Sequence, residues 1–227
     1  MNLTAYDFET TGVDPKTCEP VQLGALKVTV AQDGGYETLW QCNTLLKPEN
    51  PIPEGASNIH KITDEMVENA DCPHETVSKV FQGGTVLGYN IISYDNVIAK
   101  RYGAQFDDSI DLFVGAMRLK TEGVLQRATL TAAYETLTGK TAENAHDATA
   151  DVHMTLALIQ PMMKHWEFET FSELVEFLQT SKGDTKMLMP FGKHKGRPLC
   201  NLPPSYVSWV KENLFLQGDL KESFDLL

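Results

Sequence analysis

Near the start of the chain Asp7 and Glu9 stand two residues apart, and Asp95, His146 and Asp151 follow far downstream. Four carboxylates and one imidazole have a definite chemistry. Carboxylate oxygens are hard ligands that favour Mg²⁺ and Mn²⁺. A pair of such ions is what two-metal hydrolysis of a phosphodiester requires. An imidazole beside them, with a near-neutral pKa, suits removal of a proton from water at physiological pH. The five residues are scattered, so the reading depends on elements able to gather them.

Taken singly, each part has a plainer reading. Asp7 and Glu9 lie in an apolar stretch with Leu3, Ala5 and Phe8, where strand alternation sends both side chains to one face. They would front one metal position, or form an acidic strand edge in a chain with 31 acids. Asp95 follows Gly88-Tyr89-Asn90 at a strand exit, where an acid also complements a helix dipole. Asp147 suits an N-cap, which sets Asp151 about one turn into a helix and leaves His146 on the loop before it. Helix-end electrostatics and a loop histidine would account for that pair as well.

The elements that must position these residues can be read from periodicity. Leu3 to Phe8, Val21 to Val30 and Leu39 to Leu46 alternate as strands, the last two joined around Asp33-Gly34-Gly35. They predict an antiparallel meander with one buried face. Pro48, Pro51 and Pro53 mark a loop that helices and central strands do not cross. Beyond it, Thr63–Val67 and His74–Gln82 read as short helices, Thr85–Tyr89 as a strand and Ser93–Tyr102 as a helix. Ser109–Leu112 reads as a short strand and Thr129–Leu137 as a helix closed by Gly139. Val152, Leu156, Ile159 and Met163 recur at helical spacing and predict one helix from Asp147 to about His165. Phe171–Leu178 adds an amphipathic helix.

A meander followed by alternating strands and helices predicts an α/β fold, a mixed sheet covered by helices. Ser181-Lys182-Gly183-Asp184 has linker composition and separates a domain over 1–180 from a module over 186–227. In that module a basic turn, Pro190 to Pro198, precedes a helix at Ser205–Leu214. So short a module is expected to pack on the main domain or on a partner.

The net charge of −12 is unusual for a nucleic-acid binder, because phosphate contacts draw on Lys and Arg. Carboxylates gathered to hold cations would account for part of it. The charge is also uneven. Residues 186–227 hold six basic residues against four acids, a net of +2, leaving 13 basic and 27 acidic residues, a net of −14, before them. Cys18, Cys42, Cys72 and Cys200 have no zinc-site spacing and read as free thiols. No apolar run reaches the length of a membrane span, and the N-terminus lacks signal-peptide character. A cytoplasmic location is expected.

In combination the motifs resemble the DEDDh 3′→5′ exonucleases of the ribonuclease H-like superfamily. The stretches that carry the likeness are Tyr-Asp-Phe-Glu-Thr-Thr-Gly (6–12), Gly-Tyr-Asn-Ile-Ile-Ser-Tyr-Asp-Asn (88–96) and His-Asp-Ala-Thr-Ala-Asp-Val (146–152). Ile59-His60-Lys61-Ile62-Thr63 is similar to the family's loop after the meander. The second and third stretches are closest to exodeoxyribonuclease I-like members. The run from Met189 to Trp209 resembles the C-terminal extension of exodeoxyribonuclease X-like members. Two departures stand out: Lys61 occupies a position where Gly is common, and the Asn90-to-Asp95 spacing is one residue longer than in many members.

The resemblance implies a mixed five-stranded ribonuclease H-like sheet flanked by helices. It implies two divalent cations, Mg²⁺ or Mn²⁺, on Asp7, Glu9, Asp95 and Asp151, with His146 as general base and nucleoside 5′-monophosphates as products. Main-chain groups of Thr10 and Thr11, with His60, Ile62 and Asn90, would line the groove for the terminal nucleotide. Lys193, His194, Lys195 and Arg197 would contact the phosphate backbone, or form only a solvated basic turn. The expected partner is a DNA 3′ end, single-stranded DNA favoured. Other readings are an exoribonuclease acting on short RNA or RNA 3′ ends, a proofreading-type subunit in a polymerase complex, and an acidic surface without catalysis.

Overall fold

The computed structural model describes residues 1–179, 187–225 and 227, which group into two compact units, Met1–Val175 and Glu176–Leu227. The linker expected at Ser181–Asp184 lies outside the described residues.

The first unit is built on β1 (Asn2–Thr10), β2 (Pro20–Val30) and β3 (Tyr36–Leu45), followed by α1 (Glu54–His60), α2 (Asp64–Val67) and α3 (Pro73–Val80). Then come β4 (Thr85–Gly88), α4 (Asp95–Arg101), β5 (Asp108–Asp111), α5 (Leu112–Thr121) and α6 (Leu130–Thr138). The series continues with α7 (Ala148–Ala157) and α8 (Ile159–His165), and α9 (Phe171–Gln179) runs across the division between the units. The five strands form one mixed sheet in the order β3-β2-β1-β4-β5. β1 pairs antiparallel with β2 and parallel with β4, so the site strand is central and bonded on both edges.

Helices cover both faces of the central strands. On one face Tyr6, Phe8, Leu23 and Ala25 pack with Val77 and Phe81 and with Ile98, Ala99 and Tyr102 of α4 and its end. On the other, α7 lies against β1 and β2. β1 and β2 are therefore buried along most of their length, while edge strand β3 is largely exposed. This corrects the expectation of a meander with one buried face. Double coverage yields near-continuous apolar strands rather than clean alternation.

The single helix expected over 147–165 is two helices with a break at Leu158. Pro161 is the physical cause, since without an N–H it cannot bond back to the Ala157 carbonyl. Two helices of the first unit, and α11 (Gly218–Asp225) of the second, escaped the sequence reading. α1 begins directly after Pro53, which stands in extended conformation at its N-cap. α5 buries Leu112, Gly115, Ala116 and Leu119, a helical spacing in which two small residues weaken the apolar signal. No described helix is long and apolar enough to cross a membrane, and all four cysteines are free thiols.

The second unit contains 3-10 turns at Gly192–His194 and Leu199–Asn201 and helices α10 (Pro204–Asn213) and α11 (Gly218–Asp225). Met189, Leu199, Leu202, Tyr206, Val210 and Phe224 form a small core of its own.

Candidate active site

β1 and β4 run parallel, so their C-terminal ends leave the sheet on one side. Pairing changes there from antiparallel to parallel, a place where open α/β sheets offer a crevice for ligands. Asp7 and Glu9 stand toward that end of β1, opposite Gly24 and Gln22 of β2. Cross-strand partners share a face of the sheet, and this face is the one α7 covers.

The approach of α7 is set by two residues that the sequence reading passed over. Gly24 has no side chain where one would meet α7 head-on: a Cβ there would lie 2.5 Å from main-chain atoms of Ala148 and Thr149. Gln22 then clamps the helix start. Its Nε2 donates to Asp147 Oδ2 at 2.8 Å and to Asn43 Oδ1 at 2.9 Å, while its Oε1 accepts from the Ala148 N–H at 3.2 Å. Asp147 caps α7 as expected, its Oδ1 accepting from the Ala150 N–H at 3.0 Å. Asp151 is thereby carried to the β1 carboxylates. A glutamine between Val21 and Leu23 in a buried strand was the available signal.

Asp95 arrives from the other side. It opens α4, is almost wholly buried, and its Oδ1 accepts from the Phe8 N–H at 3.1 Å, which ties it to the strand between Asp7 and Glu9. The following residue strengthens the tie, since Tyr6 Oη donates to Asn96 Oδ1 at 2.5 Å. Gly88 makes room for the loop between β4 and α4: a Cβ there would meet Ile91 at 2.1 Å and the Tyr6 carbonyl oxygen at 2.9 Å. Asp111, a third residue not anticipated, fixes that loop from the end of β5. It accepts from the N–H groups of Asn90 at 2.7 Å, Ile92 at 3.1 Å and Phe113 at 3.0 Å.

Glu9, His146 and Asp151 each present a ligand atom, and these atoms lie within 4.8 Å of one another. His146 holds a left-handed backbone at φ 68°, immediately before the Asp147 cap. The carboxylates crowd one another. Burial, then the charges of Asp95, Asp151, Glu9 and Asp147, push Asp7 well above the usual carboxylate range. Burial and then Asp151, Asp95 and Asp147 push Glu9 up to about 8. Asp95 rises to about 8, chiefly by burial, although the Phe8 N–H pulls it back. Asp151 rises to about 6 through burial, offset by the His146 main chain. One of its oxygens, Oδ1, is buried with no hydrogen-bond partner. Packed anionic oxygens, one of them orphaned, fit hard divalent cations: positive charge would relieve each of these strains at once.

The remaining expected contacts of the first unit lie at the ends of β1, α1 and β4. Thr10 Oγ1 donates to the Gly12 carbonyl at 2.9 Å and lies 2.6 Å from Tyr94 Oη. The Thr11 N–H donates to the Glu19 carbonyl at 2.9 Å, and its hydroxyl accepts from the Glu19 N–H at 2.9 Å, so the Thr-Thr-Gly turn is internally bonded. His60 ends α1, buried, its Nδ1 accepting from the Ile62 N–H at 3.0 Å; that leaves Nε2 to carry the ring proton. Burial lowers the His60 pKa, the Thr10 main chain opposes this, and His146 adds to it, which places His60 beside both. Lys61 adopts φ 64° as the C-cap, a geometry natural to the Gly common at that position. Asn90 is likewise left-handed at φ 64°, its Oδ1 accepting from Ser93 Oγ at 2.6 Å. Lys193, His194, Lys195 and Arg197 belong to the second unit, in the turn before α10.

Residues 4–159 match a family model described as "Exonuclease" (RNase_T), and the chain belongs to that exonuclease family. Residues 182–227 match a second model, described as "Putative quorum-sensing-regulated virulence factor". A protein of Escherichia phage 186 described as "Uncharacterized exonuclease CP81" is 33% identical over 183 residues, covering 70% of this chain and 86% of that one. Among solved structures, Exonuclease X in complex with 5′ overhanging duplex DNA superposes with a TM-score of 0.58 at 21% identity, covering 78% of this chain and 99% of that one. E. coli Exonuclease I in complex with a dT13 oligonucleotide gives 0.60 at 19% identity, covering 74% of this chain and 43% of that one. The chain spans only 6% and 4% of the length of two Thermotoga PolC-type DNA polymerase III proteins that it also matches. The mixed five-stranded sheet flanked by helices is a fold shared with these exonuclease structures, as the motifs implied.

Proposed function

We propose that the chain is a 3′→5′ exodeoxyribonuclease that releases nucleoside 5′-monophosphates from DNA 3′ ends, single-stranded DNA favoured. The observation that carries this reading is the convergence of Asp7, Glu9, Asp95 and Asp151, from three separate elements, into a crowded anionic cluster that also holds His146. Such a cluster is costly unless cations compensate it. The four carboxylates would hold two Mg²⁺ or Mn²⁺ ions. Bound ions of this kind neutralise the phosphate and acidify water enough to make it a nucleophile near neutral pH.

The residues of the chain do the rest. His146 accepts the proton of the attacking water at a ring nitrogen while the new bond to phosphorus forms and the bond between phosphorus and the 3′ oxygen breaks. That oxygen leaves with its electron pair and takes a proton from solvent to become a hydroxyl, His146 returns its proton to solvent, and the terminal nucleotide departs with a 5′-phosphate. His60, through its Nε2–H, Ile62, Asn90 and the main chain of Thr10 and Thr11 border the cluster and orient the terminal nucleotide. Lys193, Lys195 and Arg197 contact phosphates of the DNA backbone. Support for DNA comes from two structural neighbours seen with DNA, one single-stranded and one with a 5′ overhang. A cytoplasmic setting, consistent with four free thiols, belongs to the same proposal.

A proofreading role within a polymerase complex is the second reading, favoured by the 36% identity to a PolC-type DNA polymerase III over 101 residues. One experiment tests both. The chain alone is incubated with Mg²⁺ or Mn²⁺ and 5′-labelled single-stranded DNA, duplex DNA or RNA. Stepwise shortening of single-stranded DNA from its 3′ end, in the absence of any polymerase, is expected. Preferential degradation of RNA would overturn the DNA assignment, and turnover only with an added polymerase would favour the proofreading role.

A further inference from the structure

The second unit carries a surface that its small core does not explain. Phe191, Trp209 and Phe215 are 36%, 48% and 63% exposed. The first two help line a groove of about 810 Å³, together with Lys193, His194, Tyr206 and Leu214.

The groove is built by a closed turn against a helix. Leu188 and Pro198 form an antiparallel bridge, the Met189 N–H donates to the Arg197 carbonyl at 2.8 Å, and the Gly196 N–H returns to the Met189 carbonyl at 2.8 Å. Gly192 and Gly196 take φ 70° and 78° inside the turn, and a Cβ on Gly192 would lie 2.7 Å from Tyr206 Oη. The bare Gly192 lets the turn press onto α10, which brings Lys193 and His194 beside the aromatic wall. The Lys193 ammonium sits 5.2 Å from the Tyr206 ring centroid, and the His194 ring meets Tyr206 edge-on at 4.5 Å. Tyr206 and Trp209, three apart on one helix face, stack at 5.8 Å with 21° between their planes. Trp209 thus ends a short aromatic stack with much of its indole open to solvent.

We propose that this groove binds single-stranded DNA, an unpaired base stacking on Trp209 while Lys193 and Lys195 hold the flanking phosphates. A stacking platform beside fixed cations is the arrangement that single strands recognise, whereas duplex DNA keeps its base faces covered. The charge argues for a polyanion rather than an apolar peptide: residues 186–227 carry six basic and four acidic residues in a chain of net charge −12. The choice of DNA over RNA rests on the proposed substrate; the stacking geometry does not.

The test uses the full chain in EDTA, so that binding is read without turnover, by fluorescence anisotropy of labelled oligothymidylate across a salt series. Trp209→Ala is expected to weaken binding by about 5- to 100-fold, and Trp209→Phe to retain most of it. Lys193→Ala with Lys195→Ala is expected to lower the salt slope by about one to two. Unchanged affinity in Trp209→Ala with an unchanged slope in the lysine variant would overturn the proposal and leave a protein segment as the occupant. Tighter binding of oligouridylate than of oligothymidylate would overturn the DNA assignment. Absence of mononucleotide release by the wild-type chain in Mg²⁺ would sink the exonuclease reading and leave the binding result standing, so the two failures are distinguishable.

Discussion

The acidic site of the first unit and the basic turn of the second solve opposite electrostatic problems by opposite constructions. Asp7, Glu9, Asp95 and Asp151 are drawn from β1, α4 and α7 into a crevice, where burial and mutual repulsion raise them all. Lys193, Lys195 and Arg197 come from a few consecutive residues on a turn braced by two glycines and an aromatic helix face. The acids need long-range packing to be held together at all. The bases repel little because solvent screens them, so a short segment with a small core suffices. A chain with a net charge of −12 separates a region fit for cations from one fit for phosphates.

The contrast can be broken most sharply at the acids. Asp7→Ala should abolish mononucleotide release and His146→Ala should cut it by about 10²–10⁴, measured as kcat on a labelled oligonucleotide with Mg²⁺. Near-normal turnover in Asp7→Ala would falsify the two-cation assignment. Gly24→Ala tests whether the gathering is long-range. The added methyl meets the α7 backbone, so a stability loss of about 1–3 kcal/mol and weaker Mn²⁺ binding should appear together by denaturation and calorimetry. Unchanged metal affinity would mean that the closeness of α7 does not set the site.

Metal-free protein sharpens the comparison through pH. Glu9 and Asp95, pushed up to about 8 in the fold, have unfolded values near 4. Because the folded state holds their protons more tightly, the stability they contribute is fully present below about pH 4 and is lost as pH rises through about 8. With chelator, Tm should therefore fall between pH 5 and 8 in roughly that window, and added Mn²⁺ should raise it more at pH 8 than at pH 6. A Tm that rises with pH over that range would contradict the crowding described here. The smallest effect lies at Lys61, whose left-handed backbone favours glycine. Lys61→Gly should stabilise by roughly 1 kcal/mol, read from the denaturation midpoint with little change in kcat.

Much of the site was legible because its chemistry sits at element boundaries with strong local signals. Asp7 and Glu9 share a strand face, Asp147 caps a helix, and Asp95 opens one. What stayed hidden depends on partners far away in sequence. Gln22 acquires its role only when Asp147, 125 residues away, arrives beside it. Gly24 looks like any glycine in a strand until α7 covers it, and Asp111 looks like one more acid until the Asn90 loop folds over its carboxylate. The helix break at Leu158 was local and readable from Pro161, whereas coverage of both sheet faces was not, because apolar periodicity records burial but not what buries.

β1 is bonded to β2 along its length and to β4 at Thr4 and Ala5, and it lies beneath α7. Backbone amides in such a strand exchange with solvent only through near-global opening. Two of the proposed cation ligands therefore ride on a strand held in the sheet beneath α7, while His146 rides on a loop. Local breathing at the histidine can admit and release the proposed substrate without dissolving the ligand frame, so the lifetime of the assembled frame should track that of the folded unit itself.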